Sequence, residues 1–163
     1  MRRLVVIFAS LMLLAPVSAL ALPGSAGDGT LAVRHASGDS GQVVVQLNLT
    51  GSVVGQLDAG RIRITDADLT DGAAVDVAGA ERTVAVGNAT VYSGTNIRFR
   101  AIGGLFRIAI IGRGIDVNAV GQGSVYLAGS ALFPANDGKY SLNGGDWKSL
   151  PDTGVRFPFS AGT

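Results

Sequence analysis

The sequence contains no cysteine and only one histidine, His35, among its 163 residues. The lack of cysteine excludes disulfide bonds, thiolate nucleophiles and lipid attachment to a cysteine. One imidazole and no thiol also exclude metal centres built from several histidine and cysteine ligands. The fold must therefore be held together by apolar packing and backbone hydrogen bonds, and we expect no cofactor.

Aromatic and charged residues are also scarce, at 6% and 15% of the chain. Beyond position 21, every aromatic residue lies at or after Tyr92. We therefore expect the bulky side chains of the core to come from the second half of the chain. Valine, leucine and isoleucine should pack the first half.

The N-terminus has the pattern of a secretory signal peptide. A basic start over residues 1–3 precedes an apolar run over 4–14, and Ala19-Leu20-Ala21 fits the small-residue cleavage pattern. We predict a signal peptide over residues 1–21, cleaved near Ala21, a flexible lead-in over 22–30 and one domain over 31–163. The protein would then be secreted or held in the cell envelope. The alternative is an uncleaved segment that anchors the chain in the membrane.

The net charge depends on whether this segment is counted. Without Arg2 and Arg3, the chain has 11 basic residues (13 less these two) against 12 acidic ones, a net charge of −1. A nearly neutral protein has no strong global attraction for nucleic acid or for an anionic membrane. We therefore expect no nucleic-acid partner.

Glycine is abundant: there are 24, all after position 21. Between the glycines, valine, isoleucine and leucine alternate with polar residues, which is typical of short strands joined by tight turns. No segment beyond the signal has a sustained helical period. The pattern predicts an all-β domain: a single antiparallel β-sandwich of about ten short strands, with a small β-barrel as the alternative.

The central strands are predicted within residues 95–128. Gly103-Gly104 has the composition of a two-residue hairpin turn, which would place Phe99 opposite Ile108 on a buried face. The same register sets Arg100 directly opposite Arg107 on the exposed face. Such a like-charge pair is destabilising unless an acidic group or a bound anion lies nearby.

Two further glycine turns are predicted, a three-residue loop at Asp58-Ala59-Gly60 and a second glycine-punctuated turn within residues 95–128. A fourth turn, over residues 143–146, should pair a strand around Tyr140 with one around Trp147. The last strand contains Pro158, which predicts a position at a sheet edge.

An arginine-rich sheet face is the leading candidate for a binding surface. Guanidinium groups on exposed strand positions would bind an anionic envelope polymer, or another envelope protein, through charge-assisted hydrogen bonds. The alternative is a solvated face whose arginines pair with acidic neighbours at little gain in stability. The arginines in question are Arg61, Arg63, Arg98, Arg100 and Arg107, and the acidic candidates are Asp76, Glu81 and Asp116.

Two weaker candidates concern sugars and calcium. Tyr126 and Trp147 would offer flat rings to a sugar, although aromatic residues in strands more often serve packing. Asp66, Asp68 and Asp71 supply hard oxygen donors for Ca²⁺. Their spacing departs from that of an EF-hand loop, and aspartate is also a common turn residue.

Evidence for catalysis is limited to His35, which lies near Ser37, Asp39 and Ser40 in the sequence. No GxSxG motif is present, and nothing selects a pair of acids for glycoside hydrolysis. We therefore expect a non-catalytic domain. The competing hypothesis is a hydrolase or glycan-binding module that acts on envelope polysaccharide.

The C-terminal part reads IRFRAIGGLFRIAIIGRGIDVNAVGQGSVYLAG and then YSLNGGDWKSLP. With Tyr140, Asn143, Gly144 and Trp147 as its main points, it resembles a group of small exported β-proteins of high-GC Gram-positive bacteria. The resemblance implies export and an all-β fold. It brings no activity, cofactor or catalytic residue.

Overall fold

The computed structural model describes residues 27–35, 41–129 and 138–160, and every regular element in these ranges is a β-strand. No helix in these ranges is long and apolar enough to span a membrane. The predicted signal peptide, residues 1–21, lies outside the described residues. The strands are β1 (Gly29–Arg34), β2 (Val43–Asp66), β3 (Ala74–Val86), β4 (Ala89–Arg113), β5 (Asp116–Ala128), β6 (Lys139–Leu142), β7 (Lys148–Ser149) and β8 (Val155–Phe159).

All eight strands belong to one antiparallel sheet in the order β3-β4-β2-β5-β1-β6-β7, with β8 paired to β5 outside this path. The all-β prediction is therefore confirmed, whereas the expected ten or so short strands are not. Two of the eight strands are long, at 24 residues for β2 and 25 for β4.

The predicted hairpin at Gly103-Gly104 is wrong. β4 continues through both glycines and pairs with β2, so that Phe106 lies opposite Leu49 and Ile108 opposite Leu47. Gly103 has the positive φ that a primed turn requires, at 74°, but the chain does not reverse there. Gly103 instead belongs to an irregularity in the β2–β4 pairing, where its amide donates to the Ser52 hydroxyl at 3.1 Å.

The predicted turn at residues 58–60 is wrong for the same reason, whereas the chain does turn within residues 95–128, between the end of β4 at Arg113 and the start of β5 at Asp116. β2 runs through Gly60 and β5 through Gly121 without reversing. Gly60 lies opposite two other glycines, Gly94 and Gly112, which belong to the two segments of β4 that flank it. These glycines mark points where backbones come close together, because a strand glycine removes the side chain that would keep them apart.

A line of four glycines crosses the sheet. Gly51 of β2 lies opposite Gly104 on one side and Gly121 on the other, and Gly121 lies opposite Gly29. A Cβ atom added at Gly51 would lie 2.2 Å from the carbonyl oxygen of Val120. Larger residues would force these strands apart, so the line allows long strands to bend without breaking their pairing.

The β2–β4 ribbon folds back on itself. Residues 59–66 of β2 pair with residues 89–95 of β4 along one edge and with residues 106–113 along the other. Both strands must therefore curve until the two ends of the ribbon lie side by side. This curvature encloses the apolar side chains that alternate along each strand.

The predicted division between buried and exposed positions is confirmed. Alternate residues of β2 and β4 are buried, whereas the arginines between them are exposed. The division holds although the predicted pairing was wrong, because it depends only on the period of two along each strand. The buried residues from the central stretch are Ile97, Phe99, Ala101, Phe106, Ile108 and Ile110.

The C-terminal elements match their predictions. β6 pairs with β7 across the turn at residues 143–146, with Tyr140 opposite Lys148. β8 pairs with β5 alone, and Pro158 lies in this outer strand, where a missing amide proton costs no ladder hydrogen bond.

Candidate functional site

The exposed face of the sheet contains a concavity of about 390 Å³ that we call the arginine cleft. Its side chains come from β2, β4 and β8 and from the turn before β4. The residues that define the cleft are Arg63, Arg107, Arg156, Gln46, Asn48 and Asn88.

The strand register brings Arg63 and Arg107 together. Arg107 of β4 lies opposite Thr65 of β2, and Arg63 of β2 lies opposite Ala109 of β4. The two arginines are therefore diagonal neighbours on one face, within reach of each other's side chains. Ala109 lines the cleft between longer side chains, and its single methyl group leaves the central space open.

β8 supplies the third arginine. Arg156 lies opposite Tyr126 of β5, and its guanidinium donates to the hydroxyl of Ser124 at 2.9 Å. Ser124 in turn lies opposite Asn48 of β2, which lies opposite Arg107. Arg156 is therefore separated from Arg63 and Arg107 by Asn48.

The cleft is locally positive although the protein is nearly neutral. None of the residues that line it is acidic. Within the described ranges, Arg63 and Arg107 take part in no ion pair or side-chain hydrogen bond, and Arg156 bonds only a neutral hydroxyl. Three uncompensated guanidinium groups in one concave surface focus a positive potential there, which favours an anionic ligand.

The other predicted arginines lie outside the cleft. Arg61 is exposed on β2, two residues before Arg63, and does not line the concavity. Arg98 is exposed on β4 opposite Gln56 and Ala78. Arg100 lies opposite Asp76 and forms an ion pair with it at 2.6 Å, as the solvated-face alternative expects.

The predicted Arg100–Arg107 pair does not exist, because it depended on the false hairpin. Arg100 has Val54 and Asp76 as its cross-strand neighbours. Of the five predicted arginines, Arg63 and Arg107 line the cleft, and Arg100 pairs with Asp76. Arg61 and Arg98 do neither in the described part of the chain.

A second concavity of about 500 Å³ surrounds Trp147, and we call it the tryptophan groove. The indole is 50% exposed, and the guanidinium of Arg34 lies 5.8 Å from its ring centroid. Other residues that line the groove include Ala32, Val54, Asn118 and Gly145. The aromatic ring of Trp147 is therefore exposed to solvent and is not part of the core.

Arg34 is itself held in place. Its guanidinium pairs with Asp116 at 2.5 Å and donates to the Asn118 side chain at 3.0 Å. It also donates to the carbonyl oxygens of Val33 and Val117. An arginine anchored in this way offers the indole a fixed cation–π partner.

Tyr126 does not join Trp147. It is half-buried on β5, between Gln46 and Arg156 on the neighbouring strands. A Cβ atom at Gly154 would overlap its ring, so Gly154 packs directly against the phenol. Tyr126 therefore supports the region beside the arginine cleft, and it does not line the concavity that contains Trp147.

The carboxylates of the acidic loop act as turn acceptors. Asp66 accepts from the amide of Asp68, and Asp68 accepts from both the amide and the hydroxyl of Thr70. Asp71 accepts from the amides of Ala73 and Leu105. In the described ranges, no three acidic or histidine side chains gather as metal ligands would. The loop is built as a series of aspartate turns.

Asp68 should titrate below the usual range of an aspartate. The Thr70 hydroxyl, followed by the Thr70 amide, stabilises its carboxylate and lowers its pKa from the ordinary 3.8. The hydrogen bonds therefore favour the folded loop above the ordinary pKa, and this contribution is lost as the pH falls through the lowered value. A side-chain NMR titration would measure this directly.

Thr70→Ala should return the pKa of Asp68 toward 3.8, whereas Thr70→Ser keeps the hydroxyl and should leave the pKa lowered. Titration of Asp68 in the unmodified protein at or above its ordinary value would contradict this prediction.

His35 is buried at the end of β1. Its Nδ1 atom accepts a hydrogen bond from the amide of Gly114 at 3.1 Å, and its own amide donates to the carbonyl of Ile115. Neither the arginine cleft nor the tryptophan groove is lined by a histidine or a carboxylate. Ser37, Asp39 and Ser40 lie outside the described residues.

Sequence reasoning missed Arg156, Gln46 and Asn48 as members of the cleft. Each stands on the polar side of an alternating strand, so the sequence shows that they are exposed. Their proximity depends on the pairing of β2 with β4 and β5, which local pattern does not encode.

Comparisons of the chain with protein-family models, with curated proteins and with solved structures gave no match.

Proposed function

We propose that this protein is an exported, non-catalytic β-domain of the cell envelope that binds an anionic polymer through the arginine cleft. The observation that carries the proposal is the meeting of three arginines around one concavity that no acidic residue lines. An isolated protein gains nothing from such an arrangement, because like charges repel. A bound polyanion would neutralise these positive charges and accept charge-assisted hydrogen bonds from the guanidinium groups.

Export and the sandwich architecture belong to the same proposal. The basic start, apolar run and small-residue cleavage pattern of residues 1–21 support export. The pairing of one segment of β2 with two separate segments of β4 supports a β-sandwich, since it brings distant parts of a curved ribbon side by side over one core.

Sedimentation with isolated bacterial cell walls tests the proposed function. The purified protein should sediment with the walls at low ionic strength and be released as salt is added, because salt screens exposed charges. If the protein stays in the supernatant at low ionic strength, the proposal is wrong. Release by salt alone does not identify the cleft, so the variants described in the Discussion are needed.

The tryptophan groove supports a second candidate function, binding of a neutral glycan. Its half-exposed indole, held by an anchored arginine, presents an apolar face beside polar groups. This combination suits a sugar ring, whose C–H face packs on an aromatic ring while its hydroxyls bond nearby polar atoms.

Trp147 is the only tryptophan of the chain, so its fluorescence reports on the groove without labelling. A β-1,4-linked glucose trisaccharide should shift the emission to shorter wavelength and saturate, because the sugar replaces water at the exposed ring. The same concentration of glycerol should leave the spectrum unchanged. An unchanged emission at saturating trisaccharide would exclude this second function.

A further inference from the structure

The strands at the two basic ends of the arginine cleft have a defined separation. The guanidinium of Arg156 is held at Ser124 of β5, and Arg107 stands on β4 with one β2 strand between them. Adjacent strands lie about 4.8 Å apart, so the column of Arg107 and the column of Ser124 are roughly 10 Å apart. Two anionic groups that occupy both ends must therefore be separated by other atoms.

The ends also differ in strength. Arg63 and Arg107 are diagonal neighbours, and their forked guanidinium groups can hold one carboxylate between them. Arg156 already donates one hydrogen bond to the Ser124 hydroxyl, and no second arginine lines the cleft at this end. The first end is thus a strong site for one anion, and the second end is an additional contact.

Side-chain amides line the space between the two ends. Asn48 lies directly between Arg107 and Ser124, and Gln46 lies between Ala109 and Tyr126. An amide offers both donors and an acceptor, which matches a hydroxyl group. A chain of phosphates offers acceptors only and would leave the amide oxygens facing negative charge.

We infer that the ligand of the arginine cleft is an acidic oligosaccharide whose carboxylates are separated by hydroxyl-bearing sugar rings. Arg63 and Arg107 hold one carboxylate, Asn48 and Gln46 bind hydroxyls, and Arg156 holds a second carboxylate further along the chain. The small Ala109 side chain leaves room for a sugar ring over the sheet. This inference rests on the proposed function, of which it specifies the ligand class.

Calorimetric titration of the full-length protein with galacturonic acid oligomers of one to six residues tests the inference at low ionic strength. Affinity should rise at least tenfold from the monomer to the first oligomer that reaches both ends. Arg156→Gln should abolish this rise and weaken the monomer less than Arg107→Gln does, because the monomer binds at the other end of the cleft. Arg107→Gln should lower the affinity for the monomer and for the longer oligomers by the same factor.

A linear tetraphosphate serves as the polyanion without hydroxyl groups. Asn48→Ala should lower the affinity for the galacturonic acid tetramer several-fold and leave the affinity for tetraphosphate unchanged. Tetraphosphate that binds the unmodified protein as tightly as the tetramer would overturn the inference, as would a rise in affinity with length that survives Arg156→Gln.

The inference and the proposed function can fail separately. If the protein sediments with cell walls through Arg63 and Arg107 but binds no galacturonic acid oligomer, only the inferred ligand class is wrong. If neither cell walls nor acidic oligomers bind, both are wrong. If neutral glucose oligomers bind as tightly as the acidic ones and Arg107→Gln weakens both equally, the inference is overturned, since charge would then play no part in the cleft.

Discussion

Gly51→Ala should reduce the free energy of unfolding by about 3 kcal/mol, through backbone strain and overpacking together. Gly51 has a φ of 150°, which side-chain-bearing residues rarely adopt, and a new Cβ atom would lie 2.2 Å from the Val120 carbonyl oxygen and 2.7 Å from Cα of Gly121. Both contacting atoms belong to paired backbone, so neither can move without disturbing the sheet. Denaturant unfolding followed by far-UV circular dichroism measures the change.

Gly87→Ala is the matched control. Gly87 also has positive φ, at 61°, but an added Cβ atom would meet nothing within 4 Å. This variant should lose only the conformational cost of about 1 kcal/mol. The excess loss at Gly51 then measures the close approach of the strands. Equal stability of the two variants would show that the glycine line is not a site of close backbone contact.

Replacing both Arg63 and Arg107 with glutamine should weaken binding to cell walls about 100-fold. Each arginine contributes a charge-assisted hydrogen bond of about 1.5 kcal/mol, and each 1.4 kcal/mol corresponds to a tenfold change in affinity. Both side chains are exposed and, in the described part of the chain, bond no other side chain. Folding should therefore be unaffected, which circular dichroism would verify. The bound fraction in the sedimentation assay measures the effect.

The control for this variant is the pair Arg82→Gln and Arg98→Gln. Both arginines are exposed and lie outside the cleft. Their replacement also removes two positive charges, as the cleft variant does. Wall binding should change only slightly. If the two double variants lose the same affinity, net charge drives binding and the arginine cleft has no special role. If the cleft variant keeps its affinity, the proposed function fails.

The wrong prediction of a hairpin at Gly103-Gly104 shows where reasoning from sequence is limited. Gly103-Gly104 has the right composition for a turn, and one of its residues has the expected positive φ. A glycine with positive φ serves a bulge within a continuous strand as well as a turn between two strands. The choice depends on whether another strand, here β2, is available to pair with both sides of the glycines.

The candidate site shows the same limit. The sequence identified Arg63 and Arg107 as exposed cations, and it also identified Arg98 and Arg100. It had no means of separating the two pairs, because the acidic partner Asp76 approaches Arg100 only through the pairing of β3 with β4. Arg156 reaches the cleft through β8, which is distant in sequence from β2 and β4.

The sequence by itself determined the all-β class, the alternation of buried and exposed residues, and the outward direction of the arginines. These properties depend on the period of two along a single strand, which is a local property of the chain. Only the tertiary structure decided which glycines bend a strand, which arginines meet an acidic partner, and which three surround a cleft. Those outcomes depend on contacts between strands far apart in the sequence, and they are selected by the packing of one shared core.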